Sequence, residues 1–208
     1  MKAYKFRSVE NLHFVVDILF NKRLYCPRAD QLNDIREGNH LRVGNDQGRE
    51  LQVIEYGDAV SRQLNGLRVC ALTKSFDSHL LWAHYANAYS GLAIEVDVDD
   101  ADVTPVTYGD DFIYLAQLME SLSPEAAARH ALARKYKDWS YEGEVRLITT
   151  SEYYKLTRPI SRLIVGSRTN PALVSALYLM CSHFGITLDR VVVADWGMYT
   201  VGAQPMLL

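Results

Sequence analysis

The chain has 208 residues, 49% of them hydrophobic, and a formal net charge of -3. This composition is typical of a globular protein with a full core, and the near-neutral charge excludes a strong basic field for nonspecific duplex binding. No apolar run is long enough to span a bilayer, and residues 1–7 lack the apolar region of a signal peptide. Three cysteines far apart in sequence, without metal-site spacing, indicate buried thiols in a cytoplasmic protein: Cys26, Cys70 and Cys181.

Hydrophobic periodicity and capping residues predict interspersed strands and helices without strict alternation. In chain order, we predict a strand over 2–7, a helix over 9–19, a strand over 23–26, a helix over 50–64, a strand over 67–72, a helix over 78–91, strands over 92–98 and 103–108, helices over 112–122 and 123–138, strands over 142–149 and 160–165, a helix opening at 170–171, and strands over 191–193 and 198–201. The strand over 92–98 alternates cleanly and is predicted to be half exposed. With no repeat or linker, we predict one α+β domain over 1–208, with mixed, strongly twisted sheets and flanking helices.

The most informative motif is the octapeptide W-S-Y-E-G-E-V-R at 139–146, which is typical of the start of a strand. Side chains alternate along a strand, so Glu142, Glu144 and Arg146 are expected on one face. Neighbouring carboxylates raise at least one carboxyl pKa, and an adjacent arginine opposes that rise. Such a group in a cleft suits the stabilisation of a developing cation or the transfer of a proton.

Common catalytic and ligand-binding motifs are otherwise absent from the sequence. It contains no Walker-type phosphate loop, no G-x-G-x-x-G and no G-x-S-x-G motif. His79 and His84 are five residues apart, which is not the spacing that places two ligands on one helix face, so no metal site is predicted.

Three polar points remain, each at the end of a predicted strand, where sites are commonly assembled. Arg7 ends the first strand, Thr73 and Ser75 end a central one, and Glu142 and Glu144 open a later one.

The chain resembles the bacterial family catalogued as domain of unknown function 2971. The matching stretches are, in order, Y-K-F-R at 4–7, L-Y-C-P at 24–27, L-N-D at 32–34, C-A-L-T-K-S at 70–75, L-W-A-H-Y-A at 81–86, Gly91, Tyr108, the octapeptide at 139–146 and I-V-G at 164–166. They cover nearly the whole chain, although the family name implies no activity.

A more distant resemblance is to ADP-ribosyltransferases of the Arg–Ser–Glu type. These enzymes have an arginine on the first strand, an S-T-S-like motif on a middle strand and an E-x-E motif on a later strand. The matching positions are Arg7, Thr73-Lys74-Ser75 and Glu142-Gly143-Glu144, in the same order. The middle motif departs from the pattern, with lysine in place of threonine and threonine in place of the first serine.

This second resemblance implies an enzyme that cleaves the nicotinamide–ribose bond of NAD through an oxocarbenium-like state. Glu144 would stabilise the ribose cation, and Ser75 would hydrogen-bond ribose and orient Glu144. Arg7 would bind phosphate or ribose through its fork of donors, and Glu142 would activate the acceptor as a general base.

The same resemblance implies further ligand contacts and a biological setting. Tyr85, Phe76 or Tyr141 would wall the nicotinamide, and Lys74, beside Thr73, would add phosphate affinity. NAD is the implied substrate, with protein, nucleic acid or water as acceptor. The implied role is a toxin or anti-phage effector with an operon partner such as an antitoxin, and neither a metal nor a membrane is expected to take part.

Several structural and functional alternatives stay open. Glu144 and Arg146 would form an ordinary surface ion pair, Arg7 would be a solvated strand residue and Ser75 would cap a strand end. Residues 33–34, Asn33-Asp34, predict an Asx turn, followed by a solvated loop over 36–50.

One functional rival is a non-catalytic ligand- or protein-binding module of a defence or regulatory operon. Another is a metal-dependent hydrolase or nuclease, which would need further acids to converge: Asp77, Glu95 and Asp97.

Overall fold

A computed structural model of the protein describes residues 1–32, 41–43 and 48–205. The predicted Asx turn at Asn33-Asp34 and part of the predicted loop over 36–50 lie outside the described residues. The strands are β1 (Lys2–Arg7), β2 (Arg23–Tyr25), β3 (Leu41–Arg42), β4 (Arg68–Thr73), β5 (Leu92–Asp97), β6 (Val103–Pro105), β7 (Thr107–Gly109), β8 (Ile113–Tyr114), β9 (Arg134–Tyr136), β10 (Glu144–Thr149), β11 (Tyr153–Lys155), β12 (Arg162–Val165), β13 (Thr187–Ala194) and β14 (Gly197–Gly202). The helices are α1 (Leu12–Asn21), α2 (Glu50–Gly66), α3 (His79–Tyr85), α4 (Leu115–Ser121), α5 (Pro124–Leu132) and α6 (Pro171–Phe184).

One mixed sheet of eight strands organises the molecule, in the order β14-β13-β12-β5-β1-β4-β10-β6. Its neighbouring strands are antiparallel except for the parallel pair β12 and β13. Small two-stranded ladders, β11-β2, β3-β8 and β7-β9, lie beside it. The predicted α+β fold, with a mixed sheet and flanking helices, is therefore confirmed.

Helices cover both faces of this sheet, and the pleat of each strand divides its side chains between them. On one face, α1 and α6 pack on a cluster that includes Cys70 and Leu72 of β4. On the other face, α3 packs over the middle of the sheet, while α2, α4 and α5 form a cluster that takes in Val69 of β4. None of the described helices has the length and apolar character needed to cross a membrane.

Because both faces are covered, the prediction of a half-exposed strand over 92–98 is wrong. Every residue from Leu92 to Val96 is buried. Ala93 belongs to the cluster under α3, and the Glu95 carboxylate accepts hydrogen bonds from Lys2 and Tyr4. Alternation in the sequence reflects this polar network on one face, not contact with solvent.

Local signals at helix starts agree with the structure. The Ser8 hydroxyl accepts a hydrogen bond from the backbone of Glu10 at the turn that leads into α1. Ser123 caps α5 with Pro124 in its first turn, and Asn170 caps α6 in the same way. These side chains accept hydrogen bonds from amide groups that the first helical turn leaves without partners. Each capping motif therefore predicts the start of its helix from neighbouring residues alone.

Two boundaries near the octapeptide differ from prediction. The helix predicted over 123–138 ends at Leu132, because Arg134–Tyr136 pairs with Thr107–Gly109 as a parallel ladder. A 3-10 helix over Lys137–Glu142 follows, and Gly143 ends it with a left-handed φ of 51°. The strand predicted from residue 142 therefore begins at Glu144.

The centre of the sheet contains an incomplete strand pairing. β1 pairs with β5 over six residue pairs, and β4 pairs with β10 over another six. By contrast, β1 and β4 are paired only at Tyr4 and Thr73. The two halves of the sheet are thus joined at one point, and a gap opens between the strands beyond it.

Candidate functional site

A cavity of about 200 Å³ lies where β1 and β4 separate. Residues 4–7 of β1 and residues of β4 between Val69 and Thr73 form its walls, with Pro27, Gln31 and Leu32 on one side. Leu81 and Tyr85 of α3, together with Lys135, Glu142 and Glu144, complete the lining. The gap in the sheet is therefore the origin of the cavity, and it brings acidic and basic side chains to one space.

The acidic end of the cavity is organised around Lys135. Its Nζ donates to Glu142 Oε2 at 2.6 Å and to Glu144 Oε2 at 3.0 Å. The three side chains are buried, and the Lys135 ammonium also lies 5.0 Å from the centre of the Trp139 ring. One cation thus holds two carboxylates together away from bulk solvent, an arrangement that is stable only while each charge has a partner.

Arg146 fixes Glu144 from the second side. Its Nε donates to Glu144 Oε1 at 2.7 Å and its Nη2 donates to Oε2 at 3.2 Å, a bidentate pairing. A further donation from Nη1 to the Leu132 carbonyl at 2.6 Å anchors the guanidinium at the end of α5. Arg146 is only 1% exposed, so the prediction that it shares a face with Glu144 is correct, whereas an ordinary surface ion pair is not what the fold contains.

Glu142 reaches the same cavity from the 3-10 helix and not from the strand. The Tyr85 hydroxyl donates to Glu142 Oε1 at 2.6 Å. The Thr73 hydroxyl donates to the backbone carbonyl of Glu142, also at 2.6 Å, and ties the turn to the end of β4. The left-handed Gly143 then allows Glu142 and Glu144 to face one space although they are only two residues apart.

The environments of the two acids shift their pKa values in opposite directions. Burial raises the pKa of Glu142, and the hydrogen bonds from Lys135 and Tyr85 only partly offset this. Burial also opposes ionisation of Glu144, but Arg146 and Lys135 together outweigh it and lower the pKa of that carboxyl. A pair of carboxyl groups whose pKa values diverge in this way can divide the roles of proton carrier and permanent anion.

The opposite end of the cavity is basic. Lys5 and Arg7 project from the same face of β1, and among the described residues no carboxylate forms an ion pair with either. The Lys5 ammonium donates to the Ala71 carbonyl at 2.7 Å across the gap, while the buried Arg7 Nε has no hydrogen-bond partner. Burial lowers the pKa of both groups. Two partly buried cations without a carboxylate partner among the described residues suit an anionic ligand.

The structure brings five of the predicted site residues to this cavity: Arg7, Thr73, Tyr85, Glu142 and Glu144. It places the others elsewhere. The Ser75 hydroxyl donates to the Asp77 carboxylate, and the exposed Lys74 contributes its backbone N–H to the Gly143 carbonyl at 3.4 Å. The expected contact between Ser75 and Glu144 is replaced by donors from Lys135 and Arg146, which is a correction to the predicted role of Ser75.

The aromatic residues predicted to wall the ligand are divided in the same way. Tyr85 lines the cavity, whereas Tyr141 packs beside Trp139 and His84, with ring centres 6.1 and 6.3 Å away. Phe76 packs edge-on against Tyr4, with ring centres 5.7 Å apart. Tyr141 and Phe76 thus support the elements around the cavity and do not form its wall.

Lys5 and Lys135 are the charged cavity residues that the sequence analysis missed. A signal existed for Lys5, because strand alternation places it on the face of β1 that also carries the buried Ala3. No local signal existed for Lys135, because its segment continues the helical pattern of α5 and becomes a strand only by pairing with β7.

The acids suggested for a metal-dependent nuclease each have a different partner. Asp77 accepts from Ser75, Glu95 forms ion pairs with Lys2 and Arg162, and Asp97 pairs with Arg158. Within the residues that the structure describes, no group of three or more His, Cys, Asp or Glu side chains is arranged to hold a metal ion.

Comparisons of the chain with models of protein families, with curated proteins and with solved structures find no match. The resemblances to domain of unknown function 2971 and to the ADP-ribosyltransferases therefore rest on the motifs quoted above, and a function has to be argued from the cavity itself.

Proposed function

We propose that the protein is an ADP-ribosyltransferase-like enzyme that holds NAD in the cavity between β1 and β4 and cleaves its nicotinamide–ribose bond. The single observation that carries this proposal is the composition of the cavity. Two carboxyl groups with diverging pKa values line this cavity together with two partly buried cations, which form no ion pair with a carboxylate among the described residues. NAD presents a diphosphate and, one ribose away, a bond whose cleavage builds positive charge.

The acidic end suits the reacting ribose. Cleavage of the glycosidic bond passes through a cation-like sugar, and a fixed carboxylate beside it lowers the barrier. Glu144 is the group for this task, because Arg146 and Lys135 hold it ionised and in one orientation. Glu142, whose pKa is raised, is the group that takes a proton from the acceptor hydroxyl, amine or water.

The basic end suits the diphosphate. Within the part of the chain that the structure describes, the buried Arg7 Nε has no hydrogen-bond partner, and the nearby Lys5 ammonium has only a backbone acceptor. A phosphate group there would complete the hydrogen bonds of Arg7 and balance the charge of both side chains. A cytoplasmic toxin or anti-phage effector, controlled by an operon partner such as an antitoxin, is the setting that the motif resemblance implies for this activity.

The direct test is release of nicotinamide from NAD by the purified full chain, measured by chromatography with protein, nucleic acid and water as acceptors. We expect wild type to release nicotinamide faster than buffer alone. The rate should be at least tenfold lower for Glu144→Gln and unchanged for Glu125→Gln. Glu125 is the matched control because its carboxylate is exposed and pairs only with Arg129 on the surface. Nicotinamide release at the buffer rate by wild type with every acceptor would refute the enzymatic proposal.

A non-catalytic ligand-binding module remains the second candidate, and one observation favours it. All four carboxylate oxygens of Glu142 and Glu144 already accept hydrogen bonds from Tyr85, Lys135 or Arg146. If the protein is such a binding module, it should bind NAD saturably without releasing nicotinamide. Calorimetric titration with NAD, run beside the chromatographic assay, separates the two functions.

A further inference from the structure

Two cysteines that are far apart in the sequence lie opposite each other in the fold. Arg28 and Arg68 form an isolated antiparallel bridge, and the Val69 N–H donates to the Pro27 carbonyl at 2.9 Å. Continuing this register by one residue places Cys26 opposite Cys70. The prediction of three buried thiols is confirmed, and Cys181 lies apart from this pair on α6.

The register extended from this bridge gives the pair a spacing that a disulfide can span. Pro27 and Val69 form the hydrogen-bonded pair, so Cys26 and Cys70 occupy the adjacent non-hydrogen-bonded pair. The backbone agrees, because the Cys26 N–H points to the other side and donates to the Glu152 carbonyl at 2.8 Å. Such pairs have Cα atoms about 4.5 Å apart, which lies within the range of about 4.4 to 6.8 Å spanned by disulfides. Both side chains belong to the same buried cluster of the core, and the Cys26 thiol donates to the Leu24 carbonyl at 3.6 Å.

The surroundings of the pair favour one thiolate beside one thiol. The hydrogen bond from Cys26 and the positive charges of Lys5 and Arg7 lower the pKa of Cys70 to about 6, against the effect of burial. The pKa of Cys26 is raised by its contact with Cys70 and by burial. A thiolate is the nucleophile in cysteine oxidation, and a neighbouring thiol is the group that resolves the oxidised form.

The cavity passes close to this buried pair. Both cysteines are fully buried, and the residues beside them in the chain, Pro27, Val69 and Ala71, line the cavity. We infer that a small oxidant reaches the pair from this cavity.

We propose that Cys26 and Cys70 form a reversible intramolecular disulfide when a hydroperoxide enters the cavity. The Cys70 thiolate attacks a peroxide oxygen, the O–O bond breaks, and the leaving oxygen departs as water after taking a proton, which leaves a sulfenic acid on Cys70. The Cys26 sulfur then attacks the Cys70 sulfur, the S–S bond forms and a second water leaves. Two thiols are oxidised and one hydrogen peroxide is reduced to two waters. The inference does not depend on the proposed enzymatic function.

The test uses the reduced full-length protein, treated with hydrogen peroxide at low excess, then denatured and alkylated. Of the three free cysteines, we expect wild type to lose two titratable thiols and to yield one cross-linked peptide joining Cys26 and Cys70. Dithiothreitol should restore both thiols, and Cys181→Ala should cross-link as wild type does. The variant Cys26→Ser should instead leave a sulfenic acid on Cys70 that dimedone captures.

Wild-type mapping decides the outcome even if the serine variant fails to fold. Three alkylated cysteines after oxidation, irreversible oxidation of Cys70 without a cross-link, or a cross-link that includes Cys181 would each overturn the proposal.

Discussion

Replacing Lys135 with methionine removes the cation that Glu142 and Glu144 share, while keeping a side chain of similar length against Trp139. Glu144 keeps its bidentate pairing with Arg146, but Glu142 keeps only the hydroxyl of Tyr85. The variant therefore contains one buried carboxylate without a cation. Removal of one partner from a buried ion pair typically costs about 3–5 kcal/mol, and we expect the free energy of unfolding at neutral pH to fall by that amount.

The pH dependence of the stability lost in the Lys135→Met variant is a second, sharper test of this prediction. Loss of Lys135 takes away a cation that lowers the Glu142 pKa, so that pKa rises further above its ordinary value of 4.5. An acid with a raised pKa binds more protons when folded than when unfolded, so its contribution to stability is lost as the pH rises. The deficit of the variant should therefore grow above about pH 4.5 and shrink as the solution is acidified towards it.

The assay is urea unfolding followed by tryptophan fluorescence, at neutral and at mildly acidic pH. Lys137→Met is the matched control, because Lys137 is exposed and pairs with Asp110 at the surface. That pair should contribute only about 0–1 kcal/mol. If the two methionine variants lose the same stability, or if the deficit of the Lys135 variant grows on acidification, the argument for a buried, charge-balanced cluster is refuted.

Three other substitutions test backbone packing and the turn at Glu142 by the same unfolding assay. Gly166→Ala should destabilise by about 3 kcal/mol, because its Cβ would lie 1.9 Å from the Tyr89 carbonyl oxygen. Gly66→Ala has open space around it and should be neutral or stabilising by up to about 1 kcal/mol, so equal losses at both glycines would contradict the packing argument. Thr73→Val should cost about 1–3 kcal/mol, since the Glu142 carbonyl loses its donor; an unchanged unfolding midpoint would rule this contact out as a support of the turn.

Features that depend on neighbouring residues could be predicted from the sequence. Ser123 followed by Pro124 defines the start of α5 because both act on the first helical turn, whose amide groups have no other partners. Alternation predicts that Glu144 and Arg146 share a face, because side-chain direction within a strand is a local property. The first strand was predicted with the bounds that the structure has, Lys2–Arg7.

Features that depend on distant pairing could not be predicted. The segment around Lys135 has a strong helical pattern, but its pairing with Thr107–Gly109 overrides that preference and turns Lys135 towards the two acids. In the same way, only the coverage of both faces makes β5 a buried strand. Local preference therefore identifies the two acids and Arg146, but not Lys135, the cation that the two acids share.

The charges around the cavity explain why an anionic ligand suits one end of it. At the acidic end, Glu142 and Glu144 are balanced by Lys135 and Arg146, so that cluster needs no further charge. At the other end, among the described residues, Lys5 has only a carbonyl partner and Arg7 Nε has no hydrogen-bond partner, and the nearby Cys70 thiolate can balance one positive charge at most. Burial of an unbalanced cation is costly. A phosphate group bound there would remove that cost, and the gap between β1 and β4 opens a cavity of about 200 Å³ beside both cations.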